Sequence, residues 1–251
     1  MHQNDSLKSK VAKRAFEYVI NEIVQRQEKI ETLIWLGIGS GTTIKFFISL
    51  LSESYLKGSI PFKFVTVSSS IDSETACREL KLPIRQLADL PADKKFDYYI
   101  DGADEVDTHK RCLKGLGGAS TREKLLRIES DKFIVLIDES KKVPTICTKN
   151  PIVLEILPFG FEKTLERIKM LIPVPLKAEI RKGSGKMGYI LTDNNNYLVD
   201  IYYNNQFTGD FDFKTFEMKL KSVAGVIETG LFADPADVVF IASQSEVEVL
   251  F

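Results

Sequence analysis

The stretch FDYYIDGADEVDTHKRCLKGLGGASTREKLLRI, residues 96–128, runs from an apolar segment through a dense polar one into a helical pattern. FDYYI (96–100) is short and rich in aromatic and β-branched side chains, so it reads as a buried strand with Asp101 at its carboxyl end. KGLGG (114–118) supplies backbone freedom, and Ser120-Thr121-Arg122-Glu123 then opens a helix that continues as KLLRI. In open α/β sheets, ligands bind at the carboxyl ends of strands. A Gly-rich turn feeding a helix presents N–H donors to an anion. The stretch therefore offers a carboxylate pair (Asp101 and Asp104), a lysine (Lys114), an anion cradle and a further glutamate (Glu123). Those are the parts needed to move protons on a polyol phosphate without a metal.

Upstream, TLIWLGIG (32–39) reads as another strand, and Gly37-Ile38-Gly39-Ser40-Gly41-Thr42-Thr43 turns into the helical IKFFISLL. This is a second candidate phosphate cradle. A dinucleotide fingerprint would need a glycine where Thr42 stands, and an acid after the next strand, FKFVTV (62–67), which ends instead in Ser68-Ser69-Ser70. No GxxxxGK[ST] occurs. The turn suits a monophosphate better than a nucleotide, and no cofactor is expected. A first amphipathic helix over 6–28, a helix at 71–80 and the strand KFIVLID (132–138), followed by Glu139-Ser140-Lys141-Lys142, complete a strand–helix alternation.

That alternation predicts an α/β fold: a doubly wound, mostly parallel, Rossmann-like sheet. From about 148 the texture changes to a strand (151–160), a helix (161–171), a hairpin (187–203) turning on residues 193–196, and a helix (213–221). Buried-strand character returns at 226–231 and 237–242, and the last strand is expected to rejoin the first sheet. The predicted division is a catalytic domain of 1–147 plus 232–251 and a smaller α+β domain of 148–231, a candidate oligomerisation unit.

The 251 residues are 44% hydrophobic, and 34 Lys and Arg against 35 Asp and Glu leave a net charge of −1. That balance gives no global field for nucleic acid or acidic membranes. Cys77, Cys112 and Cys147 are scattered with no metal-ligand spacing, which predicts a reducing, cytoplasmic location and no metal. The N-terminus MHQNDSLKSK has no signal-peptide pattern, and no apolar run approaches a membrane span.

Each signal has a plainer reading. Ser120 and Glu123 have capping-box spacing; Asp101 and Asp104 are also turn-formers; Lys114 and Lys141 read singly as solvated loop lysines. Glu105 and Asp107 read as surface charges, Cys112 as an apolar filler, and His109 as an exposed loop residue. With His2 at the terminus as the second of only two histidines, a histidine-based triad is disfavoured.

Taken together, SGTT (40–43), DGADE (101–105), KGLGGASTREK (114–124) and DESK (138–141) resemble ribose-5-phosphate isomerase of type A, over nearly the whole chain. The family pattern has KGGG where this chain has Lys114-Gly115-Leu116-Gly117, which questions the φ > 0 freedom at Leu116. The resemblance implies cofactor-free interconversion of D-ribose 5-phosphate and D-ribulose 5-phosphate, through an enediolate, in a homodimer or homotetramer. It places the general base on Glu123, with Lys114 stabilising charge and Asp101 helping to open the sugar ring. Substrate binding falls on Ser40, Gly41, Thr42, Thr43, Asp101, Gly102, Ala103, Asp104, Lys114, Gly115, Leu116, Gly117 and Lys141, with Lys8 near the phosphate. The alternatives are a non-catalytic sugar-phosphate sensor, which would not need Glu123, and a CoA-type transferase, which would need room for a nucleotide.

Overall fold

The computed structural model describes residues 3–26, 32–172, 177–183, 185, 187–202 and 211–251. The chain forms two compact units, one of Met1–Gly102, Leu125–Lys141 and Ala236–Phe251, the other of Ala103–Lys124 and Lys142–Pro235. The chain enters through α1 (Gln3–Gln25), β1 (Ile34–Ile38), α2 (Thr42–Leu56), β2 (Phe64–Ser68), α3 (Ile71–Glu79) and β3 (Tyr98–Gly102). It crosses to the second unit for β4 (Glu105–Val106), β5 (Cys112–Leu113) and the first turn of α4 (Ser120–Ile128), then returns for β6 (Phe133–Asp138). The second unit resumes with β7 (Ile152–Ile156), α5 (Phe161–Leu171), β8 (Lys177–Ile180), β9 (Tyr197–Tyr202), α6 (Phe213–Lys221), β10 (Val226–Thr229) and β11 (Leu231–Phe232). β12 (Val238–Ala242) and β13 (Val247–Leu250) end the chain in the first unit.

The first unit is built on a six-stranded sheet in the order β2-β1-β3-β6-β12-β13, parallel except for β13. β1, β6 and β12 are buried at every position, as parallel strands covered on both faces must be. α1 turns Val11, Ala12, Ala15, Val19 and Ile23 inward at helical spacing and packs on α2, β6 and β12. Phe16 meets Phe47, and Tyr18 meets Phe240, edge to face. The register puts Ile38 beside both Ser68 and Ile100, and Gly102 beside Leu136, so the carboxyl ends of these strands form one row. Of the helix expected over 6–28, positions 27 and 28 lie outside the described residues, as does His2.

The second unit carries an antiparallel sheet, β10-β7-β9-β8, with α5 packed on β8 and α6 on β10, and a small sheet, β11-β5-β4. Its core gathers Ile152, Leu154, Ile168, Val199, Phe213 and Leu220. Only the second half of the expected 187–203 hairpin is a strand, β9; the segment before it touches through the isolated bridges Leu191–Tyr197 and Lys182–Tyr189, and Tyr203 lies outside the described residues. The sequence grouped 103–124, 142–147 and 232–235 with the first domain. In the structure all three cluster with the second unit, because β5 pairs with β11 and Val143 donates to the Val106 carbonyl. Among the described residues no helix is long and apolar enough to cross a membrane.

Candidate active site

In the first unit, the 39–43 turn and the end of β3 are built around one another. Asp101 is fully buried. Its Oδ1 accepts from the backbone N–H groups of Ser40 (3.0 Å) and Gly102 (2.7 Å), and its Oδ2 accepts from the Tyr99 hydroxyl. The approach is so close that a Cβ on Gly39 would lie 2.0 Å from the Asp101 carboxyl carbon. Only glycine leaves that space, which is the physical reason for its place in GIGSG. Gly39 N–H donates to the Ile100 carbonyl (2.8 Å), and Ser73 Oγ donates to the Gly39 carbonyl (2.6 Å). Gly41, at φ 90, is the N-cap of α2, and no side chain caps that helix. Among the described residues no side chain meets the first N–H groups of this 15-residue helix, so they can take an anion, with the positive end of the helix dipole behind them.

The family resemblance assigns two cations of the same unit to that use. Lys141 sits in the 3-10 turn Glu139–Lys141, directly after β6, and Lys8 lies on α1. Neither ammonium group has a hydrogen-bond or ion-pair partner among the described residues, and both side chains are part-exposed. No contact joins Lys8 to the turn among the described residues.

In the second unit, Lys114 and Glu123 form an ion pair with Nζ 3.4 Å from Oε2, and their side chains are 4% and 5% exposed. Charges so far removed from water are tolerated only when they meet each other. Lys114 is therefore not the solvated loop lysine of the plainer reading. Its main-chain N–H donates to the Gly230 carbonyl (2.8 Å), and its Nζ lies 5.6 Å from the centre of the Phe232 ring. Glu123 is not half of a capping box with Ser120, whose Oγ is buried without a hydrogen-bond partner. Thr121 Oγ1 donates to the buried Glu155 (2.6 Å), and Arg122 donates to Asn194 Oδ1 (2.8 Å). The first turn of α4, which carries Glu123, is held on two sides.

Between Lys114 and α4, the 115–118 turn closes through Gly118 N–H to the Gly115 carbonyl (2.9 Å). Gly115 (φ 98) and Gly118 (φ 79) take the left-handed conformations, whereas Leu116 and Gly117 have no positive φ. The expected difficulty at Leu116 does not arise, because a turn centre with negative φ accepts any L-residue. Leu116 N–H donates to Asp104 Oδ2 (3.0 Å), which ties the second aspartate of DGAD to the turn.

The structure corrects two surface charges. Glu105 is fully buried, accepting from the backbone N–H groups of Thr148, Lys149 and Asn150 at 3.1, 2.8 and 2.6 Å. Asp107 is 1% exposed and pairs with Arg111 at 2.7 Å. Cys112 is buried, as expected of an apolar filler, and His109 is exposed. Sequence reading also missed Tyr99 and Ser73 as braces of the first turn. Tyr99 shares a face of β3 with Asp101 but reads there as an apolar strand residue, and Ser73 reaches the turn from α3, which no spacing announces.

The comparisons with known proteins point to one family. The family model of ribose 5-phosphate isomerase A (phosphoriboisomerase A) matches residues 65–246. Ribose-5-phosphate isomerase A of Pyrococcus horikoshii is 33% identical over 246 residues, covering 98% of each chain. That of Methanococcus vannielii is 35% identical over 248 residues, covering 98% of this chain and 93% of its own. Among solved structures, a D-ribose-5-phosphate isomerase in complex with phospho-erythronic acid matches with a TM-score of 0.85 at 33% identity, over 99% of each chain. The enzyme from Methanocaldococcus jannaschii matches with a TM-score of 0.82 at 28% identity, also over 99% of each. On fold, motifs and kinship over its full length, the chain belongs to the ribose 5-phosphate isomerase A family.

Proposed function

We propose that this protein interconverts D-ribose 5-phosphate and D-ribulose 5-phosphate, with Glu123 as the general base. The observation that carries the assignment of the base is the buried Lys114–Glu123 pair beside a Gly-rich turn. A carboxylate in that position takes the C2 proton of the open-chain aldose and returns it to C1. Between the two transfers the O2 proton passes to O1 and the electron pair rests on an enediolate. Lys114 and the N–H groups of the 115–118 turn stabilise the charge on the enediolate oxygens. Asp104 binds sugar hydroxyls.

The phosphate is assigned to Ser40, Gly41, Thr42 and Thr43, with Lys141 and Lys8 supplying charge. Its binding energy orients the reacting carbons. Asp101 spends its carboxylate on two backbone N–H groups and a phenol, so its first contribution is to hold that turn. Its help in opening the furanose is a second role. The same reading carries a cytoplasmic homodimer or homotetramer, which light scattering on the purified protein measures.

The test is conversion of ribose 5-phosphate by metal-free wild type beside Glu123→Gln, with 4-phosphoerythronate binding measured for both. Turnover by wild type, lost in the variant while binding persists, supports enzyme and base together. Binding without turnover by wild type makes the chain a sensor.

A further inference from the structure

We infer that Arg181, held by Asp200, is a positioning residue that fixes which way the central peptide of the 115–118 turn faces. The inference rests on the isomerase reading above. The turn is a four-residue β-turn with Leu116 and Gly117 at its centre, neither at positive φ. That is the pattern of a type I turn. A type II turn has the same ends but a central peptide rotated by about 180°, with positive φ at its third residue. Glycine at position 117 makes the rotated form sterically free. The turn sequence alone does not choose between the two.

A contact from outside the turn makes the choice. Arg181 Nη1 donates to the Leu116 carbonyl at 2.7 Å. The other edge of the guanidinium grips Asp200 as a fork, Nε to Oδ2 at 2.8 Å and Nη2 to Oδ1 at 2.5 Å. Both side chains are largely buried, at 16% and 9% exposure, and the planar fork fixes the direction of the third N–H. Asp104 meanwhile holds the Leu116 N–H. Both peptides flanking Leu116 are thus pinned. With the Leu116 carbonyl drawn toward Arg181, the Gly117 N–H faces the opposite side of the turn as a donor for the enediolate. In the rotated form a carbonyl oxygen would stand there, repelling charge where charge develops.

The test compares wild type, Arg181→Gln, Arg181→Lys and Asp200→Asn in ribose 5-phosphate turnover, 4-phosphoerythronate affinity and thermal unfolding. Arg181→Gln is expected to lower kcat by about 10²-fold, the scale of losing one oxyanion donor, with a much smaller change in KM. Affinity for 4-phosphoerythronate, whose carboxylate mimics the enediolate, should fall in parallel. Lysine, which cannot form the fork, should not restore kcat, and Asp200→Asn should lie between.

Repeating Arg181→Gln in a Gly117→Ala background isolates the flip. Around Gly117 a Cβ meets nothing within 4 Å, so alanine fits the present turn and penalises the rotated one. Whatever Gly117→Ala costs alone, the further loss from Arg181→Gln should shrink severalfold there. An equal loss in both backgrounds, or a loss confined to KM or tracking thermal stability, overturns the positioning role. A wild type inert toward ribose 5-phosphate overturns the functional reading instead.

Discussion

The two Gly-rich turns, one in each unit, begin alike as strand, glycines and helix, yet they are built differently. The 39–43 turn wraps a carboxylate that accepts from two N–H groups and a phenol, and among the described residues no side chain caps the N-terminus of α2. The 115–118 turn lies between two oppositely charged side chains that meet at 3.4 Å, both nearly sealed from water. A phosphate keeps its charge throughout the reaction, and fixed backbone dipoles suffice to hold it. A carbon acid changes its charge in the transition state, so its site needs a group that exchanges protons and a cation that answers. On the proposed function, kinship of local sequence conceals a division between binding and chemistry.

The sharpest way to break that comparison is Glu123→Gln. If the second turn is where chemistry happens, kcat falls by roughly 10²–10⁴-fold, the usual worth of a positioned general base, while 4-phosphoerythronate still binds. A rate within a few fold of wild type would move the base elsewhere and leave the buried pair as a structural device.

Gly39→Ala probes the first turn through its packing. The new methyl would overlap the Asp101 carboxylate at about 2 Å, and overpacking of this kind costs on the order of 1–3 kcal/mol. The urea midpoint should fall accordingly. Gly117→Ala, in open space, should shift it by less than about 0.5 kcal/mol. Equal shifts would mean that the first turn relaxes away from Asp101 and that its tight fit is not a requirement.

Lys141→Met addresses the charge proposed to meet the phosphate at the first turn. Losing one cation from a phosphate is worth about 1.5 kcal/mol, the lower end for hydrogen bonds to charged groups, so KM should rise roughly tenfold. Steady-state kinetics should show KM rising more than kcat falls. The reverse pattern would assign Lys141 to the chemistry and erase the distinction between the turns.

Much of the fold was legible because β1, β3, β6 and β12 are continuous apolar runs bounded by turn residues, the pattern that two-sided burial imposes. β13 escaped notice because VEVL, at an edge, carries a charge within its short alternation. β8 escaped for the same reason, with KAEI half exposed. The motif residues were legible from chemistry and spacing, but their settings were not. Glu105 looks like a surface charge until Thr148, Lys149 and Asn150 arrive from elsewhere to satisfy it, and Asp107 until Arg111, four residues on, closes over it. Leu116 looks misplaced until the turn assigns it a negative φ. The burial of Glu105 is set by partners distant in sequence, which a linear pattern does not carry.

The smallest expected effect separates stability from chemistry inside the first unit. Glu22 is part-buried, which alone would raise its pKa, but the hydrogen-bonded Lys132 ammonium, with the nearby Tyr18 and Tyr98 phenols, outweighs burial and holds it below the ordinary glutamate range. Lys132 reaches both carboxylate oxygens, at 2.7 and 2.8 Å. A depressed folded-state pKa stabilises the fold at every pH above the unfolded value of about 4.3, and the contribution disappears as pH falls through the folded value. Glu22→Gln should therefore lower the urea midpoint at pH 7, by no more than about 1 kcal/mol for a part-exposed pair, and match wild type at the acid end of the titration. Its pH–rate profile between pH 6 and 8 should overlay that of wild type, since Glu22 lies on α1 and is charged across that range. A displaced profile would show that ionisation on α1 reaches the reacting carbons, and the division of labour between the two turns would then be incomplete.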